Sequence, residues 1–145
     1  MVYELGPCEE VSVSKASRAG ERSSEDWIRG LISSYLGLEL RPGAVLINGK
    51  AKSFDLLNEV EHVVGDIKVF TFKGPVPAAE HDNLFVYVCL MEKLERYTSR
   101  EWRKLIVGAG RRKIFEDFVR RYRPWLPDDL EVYFIDSSGN VERLV

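Results

Sequence analysis

The chain has 145 residues, of which 45% are hydrophobic and 30% are charged, and its formal net charge is −2. This length favours one domain with a substantial core, and the slight acidic excess is not typical of a dedicated duplex-binding protein. No apolar stretch approaches the roughly 20 residues of a membrane helix, and the first residues lack the basic and apolar parts of a secretory signal, so we expect no membrane partner.

The N-terminal residues show no hydrophobic period. Ser, Gly and charged side chains dominate much of this stretch, and such stretches at chain ends are often loosely packed. We therefore expect residues 1–22 to form a flexible N-terminal segment and residues 23–145 to form a single domain.

The two cysteines, Cys8 and Cys89, lie far apart in the sequence. This spacing fits neither a zinc motif nor a disulfide framework. We expect both to be reduced thiols, as in a cytoplasmic protein.

The first strong element is a helix near residues 24–36, where apolar side chains recur at helical spacing. Three short apolar runs follow, and runs of this kind are typical of strands in a sheet covered on both faces. The helical stripe consists of Trp27, Ile28, Leu31, Ile32, Tyr35 and Leu36, and the strand candidates are Ala44–Ile47, Phe54–Asn58 and Val63–Phe70. Asn48-Gly49 after the first strand is a hairpin turn signal.

The second half of the chain alternates between helix and strand. Residues 80–97 begin like a strand, but the apolar run is longer than a strand and favours a buried helix. The later elements are a strand at Leu105–Val107, a helix carrying Ile114 to Tyr122, and strands at Glu131–Ile135 and Val141–Val145. The order αβββαβ followed by αββ predicts an α/β fold with a mixed central sheet flanked by helices.

Two aspartates lie inside apolar strand candidates, where Asp is disfavoured. If Asn58 pairs with Val63 across a hairpin, Asp55 lies opposite Asp66, with β-carbons roughly 4.5–5.5 Å apart. Lys68, two residues further along, points to the same face. Carboxylates this close repel each other, and a hard divalent cation such as Mg²⁺ relieves the repulsion. The spacing therefore predicts two carboxylates and one ammonium group at a single site.

These residues resemble the PD-(D/E)xK motif of the restriction-endonuclease-like nucleases. The chain has Phe54-Asp55, then ten residues, then Asp66-Ile67-Lys68, with Phe54 in place of the proline of the motif. The core of that superfamily is also αβββαβ, with the motif on its second and third strands. The resemblance in element order covers roughly residues 24–107.

The resemblance implies a role for each residue of the site. Asp55 and Asp66 match the ligands of Mg²⁺ or Mn²⁺, and Lys68 matches the lysine that assists phosphodiester hydrolysis. Many members add an acidic ligand from the first helix, and Glu25 matches that place, with Glu21 as the alternative.

The same residues also have structural interpretations. Asp55 or Asp66 can cap the end of a strand or form a buried ion pair with Lys68. A glutamate in the first turn of a helix, such as Glu25, is favoured by the helix dipole alone.

Two further features suggest phosphate binding. Gly108-Ala109-Gly110 follows a strand and opens a helix, but no Walker sequence follows, so we interpret it as a tight turn. A basic cluster can contact phosphates, although the solvated face of an amphipathic helix is the favoured interpretation. Its members are Arg111, Arg112, Lys113, Arg120, Arg121 and Arg123.

The leading hypothesis is a Mg²⁺-dependent nuclease that hydrolyses phosphodiester bonds, with DNA as the expected partner. The alternative is a catalytically inactive member of the same fold that acts as a homodimeric interaction module, which the acidic composition favours. A nucleotide-binding enzyme that uses Gly108-Ala109-Gly110 is the third hypothesis.

Overall fold

The protein is described by a computed structural model that covers the backbone of residues 15–71, 73–75 and 77–145, with side chains from residue 24 onward. Within these residues the fold is mixed α/β, with a six-stranded mixed sheet and three α-helices. The elements are α1 (Lys15–Leu36), β1 (Arg41–Ile47), β2 (Lys50–Asn58), β3 (Val63–Phe70), α2 (Ala78–Thr98), β4 (Arg103–Gly110), α3 (Arg112–Tyr122), a 3₁₀ turn (Arg123–Trp125), β5 (Leu130–Ile135) and β6 (Val141–Arg143).

The strands lie side by side in the order in which they occur in the chain. β1, β2 and β3 form an antiparallel meander, while β3, β4 and β5 are parallel and β6 returns antiparallel to β5. Parallel neighbours need a crossover connection, and α2 and α3 provide the two crossovers. Because right-handed crossovers that advance in one direction place their helices on one face, α2 and α3 share a face of the sheet.

The sheet is covered on both faces, as its apolar strands predict. The face under α2 and α3 holds the larger core cluster, which includes Phe54, Val64 and Phe115. The opposite face packs against α1 through a second cluster that includes Ile32 and Ile67. Alternate residues of β3 therefore face different helices, and Asp66 and Lys68 have the parity of the α2 side.

The predicted order of elements is confirmed, and residues 78–98 are helical as expected. The first helix begins at Lys15, earlier than the predicted start near residue 24. The preceding stretch contains good helix formers but no apolar period, so the pattern gave no signal for it. Residues 1–14, including Cys8, lie outside the described residues, and the division into residues 1–22 and 23–145 stays a prediction. Cys89 is an exposed free thiol on α2.

None of the described helices is both long enough and apolar enough to cross a membrane. The hairpin turn at Asn48-Gly49 is confirmed, since both residues have positive φ, at 52° and 82°. Two positive φ values in a two-residue loop match the twist of the flanking strands, and this explains the preference for Asn-Gly.

The run Gly108-Ala109-Gly110 belongs largely to the strand β4. Only Gly110 turns the chain, with φ of 89°, toward α3. A β-carbon at Gly108 would overlap the ring of Phe115, so this glycine allows α3 to approach the sheet closely. Its role is therefore packing between strand and helix.

We expect Gly108→Ala to destabilise the fold by about 1–3 kcal/mol, because the added methyl group overpacks the contact with Phe115. Gly30→Ala is the matched control, since Gly30 is exposed on α1 with open space around its α-carbon. The free energy of unfolding of that control should rise by about 0.5–1 kcal/mol, because alanine has a higher helix propensity than glycine. Urea unfolding of both variants measures the difference, and equal stability of Gly108→Ala and wild type would contradict this packing role.

Candidate active site

A β-bulge in β2 shapes the candidate site. Arg41 pairs with Leu57, but Gly43 pairs with Phe54, so β2 carries one extra residue at this point. The bulge comprises Asp55 and Leu56 opposite Pro42, which has no N–H to contribute to the ladder. As a consequence Phe54 and Leu57 both join the core on the α2 side, and the regular alternation of β2 is interrupted at Asp55.

The two aspartates connect β2 and β3 where the backbone ladder ends. The ladder runs through Asn58–Val63 to Leu56–Gly65, which is the register predicted from the sequence. Beyond it, the Asp55 N–H donates to Asp66 Oδ1 at 3.2 Å, and the Ile67 N–H donates to Asp55 Oδ2 at 3.0 Å. Carboxylate oxygens therefore accept bonds that strand carbonyls would otherwise accept. This arrangement brings Asp55 and Asp66 together, as the sequence predicted.

Asp66 is in an unfavourable environment for a carboxylate. It is only 2% exposed, and its Oδ2 atom has no hydrogen-bond partner among the described residues. Burial, and secondarily the charge of Asp55, raises the pKa of Asp66 to about 8, although the Asp55 N–H and the ammonium groups of Lys52 and Lys68 lower it. A buried carboxylate with an unsatisfied oxygen requires a proton or a cation.

Two lysines share one aromatic ring beside this pair. Lys68 Nζ donates to the hydroxyl of Tyr87 at 3.4 Å and lies 4.5 Å from the centre of its ring. Lys52 Nζ lies 5.0 Å from the same ring centre and 5.7 Å from that of Phe54. Both distances are within the range of cation–π attraction. Lys52 and Tyr87 were not anticipated from the sequence.

The helix α1 approaches the site through Arg29 rather than through the predicted Glu25. Arg29 Nε donates to the backbone carbonyl of Asp55 at 3.0 Å. The same guanidinium group lies 2.7 Å from Asp26 and 4.0 Å from Glu25. No group of three or more His, Cys, Asp or Glu residues that could hold a metal occurs within the described part of the chain. The structure therefore does not gather Glu25 with the two aspartates, and its role as a ligand stays a prediction. The side chain of Glu21 lies outside the described residues.

The donor set of the site fits a hard divalent cation. Mg²⁺ commonly uses one or two carboxylates and completes its shell with water and substrate phosphate oxygens. Asp55 and Asp66 provide two carboxylates, and Asp66 Oδ2 accepts no hydrogen bond from any residue that the structure describes. A bound cation would offset both the repulsion between the carboxylates and the cost of their burial.

Three of the six residues of the basic cluster at α3 form ion pairs within the described part of the chain. Arg112 pairs with Glu142 and Glu116, while Lys113 and Arg120 both pair with Asp117. These contacts agree with the interpretation as a solvated helix face. The buried His81 in the first turn of α2 has no hydrogen-bond partner for either ring nitrogen among the described residues.

Asp66 should make the metal-free protein less stable as the pH rises. Its pKa is higher in the folded state than in the unfolded state, so between about pH 4 and pH 8 the folded state holds the extra proton and the free energy of unfolding falls with pH. Asp66→Asn removes this dependence and keeps the shape of the side chain. In EDTA, the melting temperature of Asp66→Asn should rise relative to that of wild type as the pH rises through this window.

Asp128→Asn is the control for that experiment, because it removes one carboxylate at an exposed position. Its melting temperature should follow that of wild type at every pH. Parallel curves for Asp66→Asn and wild type would contradict the buried, proton-holding environment of Asp66.

Comparison with protein-family models, with curated proteins and with solved structures finds no match to this chain. The site itself is therefore the feature that indicates a function. Its main features are the bridged aspartates at the bulge and the two lysines on the ring of Tyr87.

Proposed function

We propose that this protein is a Mg²⁺- or Mn²⁺-dependent nuclease of the PD-(D/E)xK type that hydrolyses phosphodiester bonds in nucleic acid, with DNA as the expected substrate. The observation that carries the proposal is the pair Asp55 and Asp66, which connect two strands at a bulge and leave one buried carboxylate oxygen of Asp66 without a hydrogen-bond partner among the described residues. Lys68 lies on the same strand as Asp66, two residues further along.

The carboxylates of Asp55 and Asp66 would be the metal ligands. When bound, the cation supplies a more acidic water and neutralises negative charge that develops on the phosphate. The hydrogen bonds that each carboxylate accepts from the opposite strand fix the positions of the ligands. Such preorganisation matters because a ligand that is already oriented needs little rearrangement when the cation binds.

Lys68 would act on the substrate directly. Lys68 is half-buried, and its ammonium group is oriented by the hydroxyl and the ring of Tyr87. No carboxylate lies within ion-pair distance of Lys68 among the described residues, so the charge is available to a phosphate. A positioned cation that meets charge forming in the transition state contributes chiefly to the rate.

Lys68→Ala should lower the rate of DNA cleavage by about a hundred- to a thousandfold and leave folding intact, as expected for the loss of one positioned electrostatic donor. The measurements are a cleavage assay with Mg²⁺ and Mn²⁺ and a melting curve on the same preparation. Lys93→Ala is the matched control, because Lys93 is an exposed lysine on α2, the helix that carries Tyr87. It should cleave at the wild-type rate.

A structural role for Lys68 would give the opposite result. In that case the variant would lose roughly 3–5 kcal/mol of stability, as when one partner of a buried pair is removed, and would keep its activity per folded molecule. Absence of cleavage by wild type on single-stranded and duplex DNA and RNA with both metals would contradict the nuclease proposal and favour the inactive, homodimeric alternative.

A further inference from the structure

Lys52 is the second ammonium group at the site, and its surroundings differ from those of three basic residues on α3. It is half-buried near the start of β2, and its contacts are with aromatic rings, those of Tyr87 and Phe54. No carboxylate lies within ion-pair distance of Lys52 among the described residues. In contrast, Arg112, Lys113 and Arg120 on α3 each have a carboxylate partner.

Lys52 and Lys68 both lie against the ring of Tyr87, and their Nζ atoms are 5.0 and 4.5 Å from its centre. Two ammonium groups that share a ring repel each other, so this arrangement becomes most favourable when anions lie beside them. Both groups are also close enough to Asp66 to lower its pKa. The ring therefore places two cations beside the carboxylate pair, one from β2 and one from β3.

The formal charges at the site indicate a role for the ammonium group of Lys52. A divalent cation is balanced by the carboxylates of Asp55 and Asp66, and the single negative charge of a phosphodiester is balanced by Lys68. The charge of Lys52 is then left over at the same site. A polynucleotide offers a further phosphate at each step along its backbone, whereas a small phosphodiester offers none.

We infer that Lys52 binds a phosphate next to the one being cleaved, so that the substrate is a polynucleotide engaged through at least two consecutive phosphates. This inference rests on the proposed nuclease function and adds to it a residue for substrate binding. Lys52 contributes to the affinity for the nucleic-acid backbone, and Lys68 contributes to the rate of cleavage.

The test is the salt dependence of binding to a fluorescently labelled DNA duplex at a low, constant concentration of Ca²⁺, a hard cation that occupies the carboxylates, with gel analysis to check that the duplex stays intact. Each phosphate contact contributes about 0.9 to the slope of log affinity against log salt for duplex DNA, so Lys52→Ala should reduce the slope by about that amount. Lys52→Arg keeps the charge and the ring contact and should restore the wild-type slope. Lys93→Ala should retain it.

Cleavage kinetics provide a second measurement. In the presence of Mg²⁺, Lys52→Ala should raise KM for the duplex by a larger factor than it lowers kcat, while Lys68→Ala should do the reverse. A melting curve on each variant checks that it is folded.

The outcomes separate this inference from the nuclease proposal. If wild type binds and cleaves DNA but the slope for Lys52→Ala equals that of wild type, Lys52 only balances the charge of the aspartates, and the inference is wrong while the function stands. If wild type neither binds nor cleaves any nucleic acid, with Ca²⁺ or with Mn²⁺, both proposals are wrong.

Discussion

The proximity of two carboxylates, one of them almost fully buried, is the constraint on which the candidate site depends. Asp66 is buried on the α2 side of the sheet, on a strand that lies between β2 and β4. Asp55 contacts it from β2. Such a pair is costly for folding unless a proton or a cation compensates for it. This carboxylate pair is positioned at the bulge in β2. It is stabilised electrostatically by the two lysines that contact the ring of Tyr87.

The fold supplies the means to hold the pair in place. The parallel pairing of β3 with β4 along its whole length fixes the strand that carries Asp66 and Lys68. The antiparallel pairing with β2 stops at Gly65, which leaves room for side chains to bridge the two strands. Because α2 returns over this face as the crossover between β3 and β4, Tyr87 lies above the lysines. A rigid sheet and one crossover helix thus position the groups that the proposed chemistry uses.

The pairing of the aspartates could be predicted because it depends on local features of the sequence. The turn after Asn58 sets the register, and counting along both strands brings Asp55 opposite Asp66. The same counting could not place Lys52, because the bulge at Asp55 changes the face to which the earlier residues of β2 belong. Tyr87 could not be predicted either, since the rotation of a crossover helix above a sheet depends on packing that no spacing in the sequence encodes.

The predicted contribution of α1 illustrates a further limit. Glu25 occupies the expected position near the start of the apolar stripe, but Arg29 lies between it and β2 and donates to the backbone of Asp55. Residues one helical turn apart share a face, so the sequence pattern alone does not decide which of them reaches the strand.

Whether Asp55 and Asp66 bind a divalent cation can be measured in a crystal of the protein soaked in Mn²⁺, with data collected at the manganese absorption edge. We expect an anomalous density peak within coordination distance of carboxylate oxygens of both Asp55 and Asp66, roughly 2.0–2.3 Å, with no such peak in an Asp66→Asn crystal treated in the same way. No peak between these residues at a saturating concentration of Mn²⁺ would contradict the proposed metal site and leave the carboxylate pair with a structural role.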